Sequence, residues 1–150
     1  MNVSALPLPS WCERLATPER LALAAEFVRF GCVGFLGFLA DTACVYALKG
    51  AIGLYAAGFV SYLIVGTANW LLNRLWTFRD RERGRGDVRR QWVLFLAVNA
   101  IGLALNRGAY VLTLAFWSLA RAYPVISVFA GAVAGMFVNF ALNRRWVFRA

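Results

Sequence analysis

The sequence contains one motif twice, and each copy ends an apolar run long enough to cross a membrane. The first copy reads Asn69-Trp-Leu-Leu-Asn-Arg-Leu-Trp-Thr-Phe-Arg79, and the second reads Asn139-Phe-Ala-Leu-Asn-Arg-Arg-Trp-Val-Phe-Arg149. Seven positions are identical at a constant offset of 70 residues. Internal repeats define the architecture of a chain more strongly than local propensity does. The motif therefore predicts one helical hairpin, with a polar and basic tip, built twice.

Four long stretches of the chain carry almost no charge. Hydrophobic residues make up 61% of the sequence and charged residues 15%, whereas about a quarter of the residues in a soluble domain are charged. Because a transmembrane helix needs about 20 predominantly apolar residues, we predict an all-α membrane protein with four transmembrane helices. The predicted spans cover residues 27–48, 52–72, 93–120 and 124–142, with a cytoplasmic loop over 73–92.

The domain organisation follows from these spans. Residues 26–150 form the predicted membrane domain, and residues 1–25 form a cytoplasmic segment. Within that segment Thr17-Pro18-Glu19 is typical of a helix start, with a capping hydroxyl, a proline at the first helical position and an acid in the first turn. We expect a short interfacial helix there. The alignment of the two halves leaves five extra residues near the loop of the second hairpin.

The basic residues lie mainly on one side of the predicted membrane. Thirteen of the sixteen Lys and Arg residues fall in the N-terminal lead, the central loop and the C-terminus. By the positive-inside rule, both termini are cytoplasmic, so the two hairpins enter the membrane in the same direction as a parallel repeat. The net charge of +9 is then explained by topology and by attraction to anionic membrane lipids. We expect a multi-pass protein of the cytoplasmic (inner) cell membrane that binds no nucleic acid.

Polar residues inside the predicted spans suggest a polar site within the membrane. Asp41 is the only acid within a span, and its counterpart in the second half is Asn106, which is followed by Arg107. An ionised Asp at this depth costs about 2.5–3.5 kcal/mol, so it should face the protein interior and have a partner. Arg107 is the expected partner, and Asn99 joins the same polar set. The pair is either a ligand site or a structural ion pair.

The tip residues have the chemistry of a phosphate and sugar site. Arginine binds phosphate as a two-pronged fork, and carboxamides bind phosphate oxygens or sugar hydroxyls. Trp76 and Trp146 are expected to anchor the interface. The alternative is structural, with Asn bonding between helices and Arg marking the end of a span. The candidate residues for binding a lipid phosphate or headgroup are Asn69, Asn73, Arg74, Arg79, Asn139, Asn143, Arg144 and Arg145. Together they predict a two-part phosphate clamp.

These motifs resemble those of the GtrA-like family. The resemblance rests on Phe-x-x-x-Gly-x-x-Gly with Asp in the first span and on Asn-x-x-x-Asn-Arg-x-Trp-x-Phe after spans two and four, and it covers about residues 26–149. Family members are small four-span membrane proteins, similar also to the membrane domain of polyprenol-phosphate mannose synthases. The resemblance implies a role with polyprenyl-phosphate-linked sugars. It carries over to Asp41, Asn69, Asn73, Arg74, Asn139, Asn143 and Arg144.

Three functions are compatible with the sequence. The first is translocation of an undecaprenyl- or polyprenyl-phosphate-linked sugar across the cytoplasmic membrane, carried out by a homo-oligomer. The second is a scaffold that anchors or recruits a membrane-associated glycosyltransferase. The third is a small proton-coupled drug-efflux protein. An enzyme is not expected, because the chain has no histidine and no pair of membrane carboxylates to share acid–base work. We also expect no cofactor and no metal.

Overall fold

The computed structural model describes residues 17–81 and 87–149. Within these residues the protein is all helical. Single π-helical turns, Asn73–Thr77 and Asn143–Val147, extend the second and the last α-helix. The helices are α1 (Pro18–Ile52), α2 (Leu54–Leu72), α3 (Val88–Phe116), α4 (Ser118–Ala122) and α5 (Val125–Leu142).

Four of these helical segments are long and apolar enough to cross a membrane. Large apolar side chains point outward along them, with Phe38 65%, Phe59 65% and Phe129 70% exposed. A soluble protein would not leave so many large apolar side chains in water. The chain is therefore a multi-pass membrane protein.

The helix bounds differ from the predicted spans at both ends. Helix α1 begins at Pro18, with Thr17 in the cap position, and runs without a break into the first span. No separate interfacial helix interrupts residues 17–25; the rest of the predicted N-terminal segment lies outside the described residues. Helix α3 starts at Val88, inside the predicted loop, and ends at Phe116, so the predicted span 93–120 is too long at its C-terminal end.

The loops of the two hairpins differ in length. A single residue, Gly53, joins α1 to α2, and its φ of 78° lies in the left-handed region that favours glycine. In the second hairpin Trp117, the short helix α4 and the pair Tyr123-Pro124 separate α3 from α5. The extra residues of the second hairpin therefore form a short helix of their own.

Each hairpin consists of two helices that pack on each other, and in the second hairpin small residues line the contact. Helix α1 packs mainly against α2, and α3 packs mainly against α5. A Cβ added at Gly131 would lie 2.6 Å from the carbonyl oxygen of Asn106, and one at Gly135 would lie 3.1 Å from that of Gly102. Glycine thus lets the backbones of α3 and α5 approach closely, as is common between membrane helices.

The two hairpins meet along two different seams. Between α2 and α3 the contacts are polar: the Tyr62 hydroxyl donates to the carbonyl of Leu96 at 2.6 Å, and Trp92 Nε1 donates to Thr67 Oγ1 at 3.0 Å. Between α1 and α5 the contacts are aromatic, since Phe27 packs on Phe137 and Phe140 with centroids 5.0 and 5.1 Å apart. An additional ion pair, between Glu26 and Arg144, links the two hairpins beside this second seam.

Candidate functional site

The repeated motif forms the π-helical turn at the end of α2 and again at the end of α5. The amide of Phe78 donates to the carbonyl of Asn73 at 2.8 Å, and the amide of Phe148 donates to that of Asn143 at the same distance. This spacing of five residues defines a π turn, a wider turn that often occurs at functional sites. The motif therefore specifies a particular backbone shape as well as a set of polar side chains.

The π turns bring the motif phenylalanines together between the hairpins. The rings of Phe78 and Phe148 stack with centroids 4.6 Å apart and planes 18° apart. Phe30 of α1 contacts Phe78, and Phe95 of α3 contacts Phe148, both at 6.1 Å. These rings form the hydrophobic core at the basic end of the bundle. No role was predicted for the two motif phenylalanines, although both are identical in the repeat.

The second asparagine of each motif copy is buried inside the turn. Asn73 is 2% exposed and Asn143 is fully buried. Their Nδ2 atoms donate to the carbonyls of Asn69 and Asn139 at 2.9 and 2.8 Å. These two side chains lie inside the protein, whereas a lipid headgroup would contact side chains at the surface.

The arginine of the first motif copy is tied to the other hairpin. Arg74 Nη1 donates to Gln91 Oε1 at 2.6 Å, and Trp70 Nε1 donates to the same oxygen at 3.2 Å. Gln91 is buried, and its Nε2 donates to the carbonyl of Val147 at 3.3 Å. Gln91 thus links the two tips: its side chain binds Arg74 of the first copy and the Val147 carbonyl of the second.

The arginine of the second copy makes the corresponding contact to a carboxylate. Arg144 Nε donates to Glu26 Oε2 at 2.7 Å, and Arg81 Nε donates to Glu26 Oε1 at 2.8 Å. Glu26 is the counterpart of Gln91 in the repeat. Each tip arginine therefore binds the first helix of the opposite hairpin, but only the second copy does so through a charge.

A basic groove of about 530 Å³ lies beside this ion pair, between α1 and α5. Four arginines, three from the second copy of the motif and one that follows the first copy, share the groove with three apolar side chains. The lining residues are Leu23, Arg81, Phe140, Ala141, Arg144, Arg145 and Arg149. Arg144 and Arg145 were predicted to bind phosphate, whereas Arg81 and Arg149 were not. Arg74 does not line this groove, so the predicted two-part clamp is not symmetrical.

A second, half-open cleft of about 430 Å³ lies nearer the middle of the bundle, between α1, α2 and α3. Four of its lining residues offer polar side chains: Asp41, Tyr62, Asn69 and Asn99. The remaining walls are glycines and apolar side chains, which is the usual composition of a small-molecule site. The structure thus brings together three of the predicted polar residues and adds Tyr62, which the sequence did not indicate.

The first asparagine of each copy packs on a glycine of the neighbouring helix. A Cβ added at Gly37 would overlap the carboxamide of Asn69, and one at Gly102 would overlap that of Asn139. Only a glycine leaves room for these side chains. Gly37 therefore permits the position of Asn69 at the cleft.

The carboxylate of Asp41 binds a serine and not the expected arginine. Ser61, which is fully buried, donates its hydroxyl to Asp41 Oδ1 at 2.5 Å and lies 3.1 Å from the Asp41 carbonyl oxygen. No ion pair joins Asp41 to Arg107, although both residues are described. Neighbouring residues of a helix differ by about 100° in direction; Asn106 faces α5, and Arg107 is consequently exposed.

Two polar residues at the cleft of the first half have no polar counterpart in the second half. Ser61 and Tyr62 correspond to Gly131 and Ala132 in the repeat, whereas Asp41 corresponds to Asn106. Gly131 packs directly on the backbone of Asn106. The two halves therefore differ at the cleft, although their tip motifs agree.

The other predicted residues lie at the surface of the basic end. Arg79 forms an exposed ion pair with Asp80, with a nitrogen–oxygen distance of 3.8 Å. Trp76 and Trp146 are 43% and 50% exposed, as an interfacial anchor requires. Among residues 17–81 and 87–149, no group of three or more acidic or cysteine side chains is placed to hold a metal ion.

Residues 29–148 match the model of the family described as GtrA/DPMS, transmembrane domain. The chain belongs to this family. A comparison with curated proteins finds no match.

Family membership covers nearly all of the described helices, from α1 to the second π turn. It makes this GtrA/DPMS-type chain a membrane protein of polyprenyl-linked sugar metabolism. The two halves of the chain differ at positions that an alignment of the repeat reveals. Glu26 in the first half corresponds to Gln91 in the second, and Ser61 corresponds to Gly131.

Proposed function

We propose that this protein moves an undecaprenyl- or polyprenyl-phosphate-linked sugar across the cytoplasmic membrane, for cell-surface polysaccharide synthesis or glycosylation. The observation that carries the proposal is the half-open cleft between α1, α2 and α3. A sugar that enters the bilayer loses its water and needs other hydrogen-bond partners, since an unsatisfied polar group costs several kcal/mol there. Asp41, Asn69 and Asn99 supply both donors and acceptors within one cleft.

The cleft joins polar groups to an apolar wall. Phe95, Leu96 and Leu103 line it beside the polar residues. Sugars present hydroxyl edges and less polar ring faces, so a mixed lining suits them better than a purely charged one. The carboxylate of Asp41, already held by Ser61, can accept a further hydrogen bond from a sugar hydroxyl, because a carboxylate has about four acceptor positions.

The proposal assigns no covalent chemistry to this chain. The polar residues of the cleft include one carboxylate and no second acid, so general acid–base catalysis of the glycosidase type has no partner. A synthetic enzyme elsewhere in the cell supplies the lipid-linked sugar, and another uses it. The transporter requires only binding and movement.

We further propose that the protein works as a homo-oligomer with its basic end on the cytoplasmic side. The positive-inside rule supports the orientation. Arg107 supports the oligomer, because its exposed side chain would place a charge toward lipid from within a span. A neighbouring copy could shield it.

The test is reconstitution of the purified protein in liposomes that contain a labelled polyprenyl-phosphate sugar. The fraction of labelled lipid in the outer leaflet is measured over time with a reagent that modifies only the lipid in that leaflet. Wild-type protein should accelerate exchange between leaflets, and Asp41→Asn should slow it by about ten-fold, as expected for loss of one charge-assisted hydrogen bond. Arg121→Gln, a charge change in the loop of the second hairpin and away from both pockets, is the control.

Two results would favour other functions. No acceleration by folded protein, together with copurification of a glycosyltransferase through the central loop, would favour the scaffold. Proton-driven uptake of a hydrophobic cation that depends on Asp41, without sugar-lipid exchange, would favour drug efflux.

A further inference from the structure

We propose that the groove between α1 and α5 is a single binding site for the phosphate of a membrane lipid, and that Glu26 positions its arginines from behind. The inference rests on the proposed function in taking a lipid-linked phosphate as the occupant. It concerns binding rather than transport, so the two can fail separately.

The position of Glu26 decides its role. Its two carboxylate oxygens bind Nε of Arg81 and Nε of Arg144. Both arginines line the groove, whereas Glu26 does not. A carboxylate that competed with the ligand would occupy the groove itself. Glu26 instead lies behind the two guanidinium groups and holds them side by side.

The remaining nitrogens of these arginines suit a phosphate. A guanidinium has five N–H donors, and only one of them is on Nε. With Nε bound to Glu26, the Nη fork of each arginine remains for two parallel hydrogen bonds to phosphate oxygens. Without the carboxylate, two adjacent guanidinium groups would repel each other and lose their shared orientation.

The other walls of the groove indicate an amphiphile. Arg145 and Arg149 add two more positive charges, and Leu23, Phe140 and Ala141 form an apolar side. A free phosphate ion would gain nothing from this apolar side. A phosphate attached to a hydrocarbon chain would bury part of the chain against it, gaining about 25 cal/mol for each Å² of apolar surface.

The equivalent position in the second half does not offer the same arrangement. At the position equivalent to Glu26, the second half has Gln91, which is neutral and 7% exposed. Its amide is occupied by Arg74, Trp70 and the Val147 carbonyl. This side is a fixed connection between the tips, whereas the Glu26 side presents its arginines to a groove. One phosphate per chain is therefore expected.

The experiment measures binding of farnesyl phosphate to the full-length protein in detergent by isothermal titration. Wild-type protein should bind about one molecule per chain. Farnesol and inorganic phosphate should each bind far more weakly, which would show that both the chain and the phosphate are needed. Arg144→Gln should raise the Kd at least ten-fold, consistent with loss of a charge-assisted contact.

The variant Glu26→Gln distinguishes a role of Glu26 in positioning the arginines from the effect of its negative charge alone. Removing a negative charge beside four arginines should tighten phosphate binding if charge alone matters. Positioning predicts the opposite, a Kd about ten-fold higher. Asp80→Asn makes the same change in net charge at the same end, at a residue that does not line the groove, and should not weaken binding. Thermal unfolding of each variant checks that it is folded.

If Glu26→Gln does not fold, Glu26→Asp retains the charge but shortens the side chain, and positioning still predicts weaker binding. The inference is overturned if either folded variant binds as tightly as the wild type, if two molecules bind per chain, or if farnesol or inorganic phosphate binds equally well. Binding that depends on Glu26, without transport in liposomes, would support this inference and reject the proposed function.

Discussion

The rings of Phe78 and Phe148 stack on each other between the two hairpins, with centroids 4.6 Å apart. Each ring belongs to one copy of the repeated motif, and the two residues are 70 positions apart in the chain. Both are buried almost completely. The contact joins the two copies of the motif directly, so the tips form one structural unit rather than two independent ends.

Replacing Phe148 by Ala should destabilise the protein strongly. Loss of a buried phenylalanine costs about 3–5 kcal/mol, because the site cannot collapse fully around the smaller side chain. Thermal unfolding in detergent measures the effect. Trp146→Ala, at an exposed position of the same turn, should cost much less. The double variant with Phe78→Ala should cost less than the sum of the single changes, since the two rings contact each other. Additive costs would argue against the stack.

Replacing Gln91 by Leu should also destabilise the protein. The change removes the acceptor for Arg74 and Trp70 and the donor for the Val147 carbonyl. An unsatisfied buried polar group costs about 1–3 kcal/mol, and more if it is charged. We expect a loss of about 3 kcal/mol in the free energy of unfolding, measured by denaturant titration in detergent. Arg90→Leu, at the preceding exposed position, provides the comparison and should be close to neutral.

Replacing Gly37 by Ala should displace Asn69 while leaving the fold intact. The added methyl group would overlap the carboxamide of Asn69, and overpacking of this kind costs about 1–3 kcal/mol. The rate at which the labelled sugar lipid exchanges between the leaflets should also fall. Gly50→Ala is a matched control in the same helix, because a Cβ there meets nothing within 4 Å. Equal transport and stability in the two variants would contradict the assigned position of Asn69.

Ser61→Ala should destabilise the protein through Asp41. The carboxylate would lose its hydroxyl donor, at a cost of about 1–3 kcal/mol for an unsatisfied group. Adding Asp41→Asn should recover part of the loss, since a neutral carboxamide needs the donor less. Arg107→Gln and Asp41→Asn, by contrast, should have additive effects on stability, because the two side chains make no ion pair. Costs that are clearly non-additive would favour the ion pair that the sequence suggested.

Predictions from the sequence were most reliable where they depended on length and composition. Long apolar runs with few charges identified the four spans, and the offset of 70 residues identified the doubled tip. The repeat also located Asn69 and Asn139, which take equivalent positions on Gly37 and Gly102. Such predictions were less reliable at helix ends, because a membrane span predicts a minimum length and not where a helix stops. Helix α1 therefore extends well beyond the predicted span.

The partners of the polar side chains were decided by tertiary structure alone. Arg107 lies at a suitable depth for Asp41, but depth does not fix direction around a helix. Ser61 is the partner because the single-residue turn at Gly53 and the packing of α1 on α2 place it there. In the same way, Glu26 of α1 holds Arg81, which follows the first π turn, beside Arg144 in one groove. Sequence determined which residues are available in each half, and helix packing determined which of them meet.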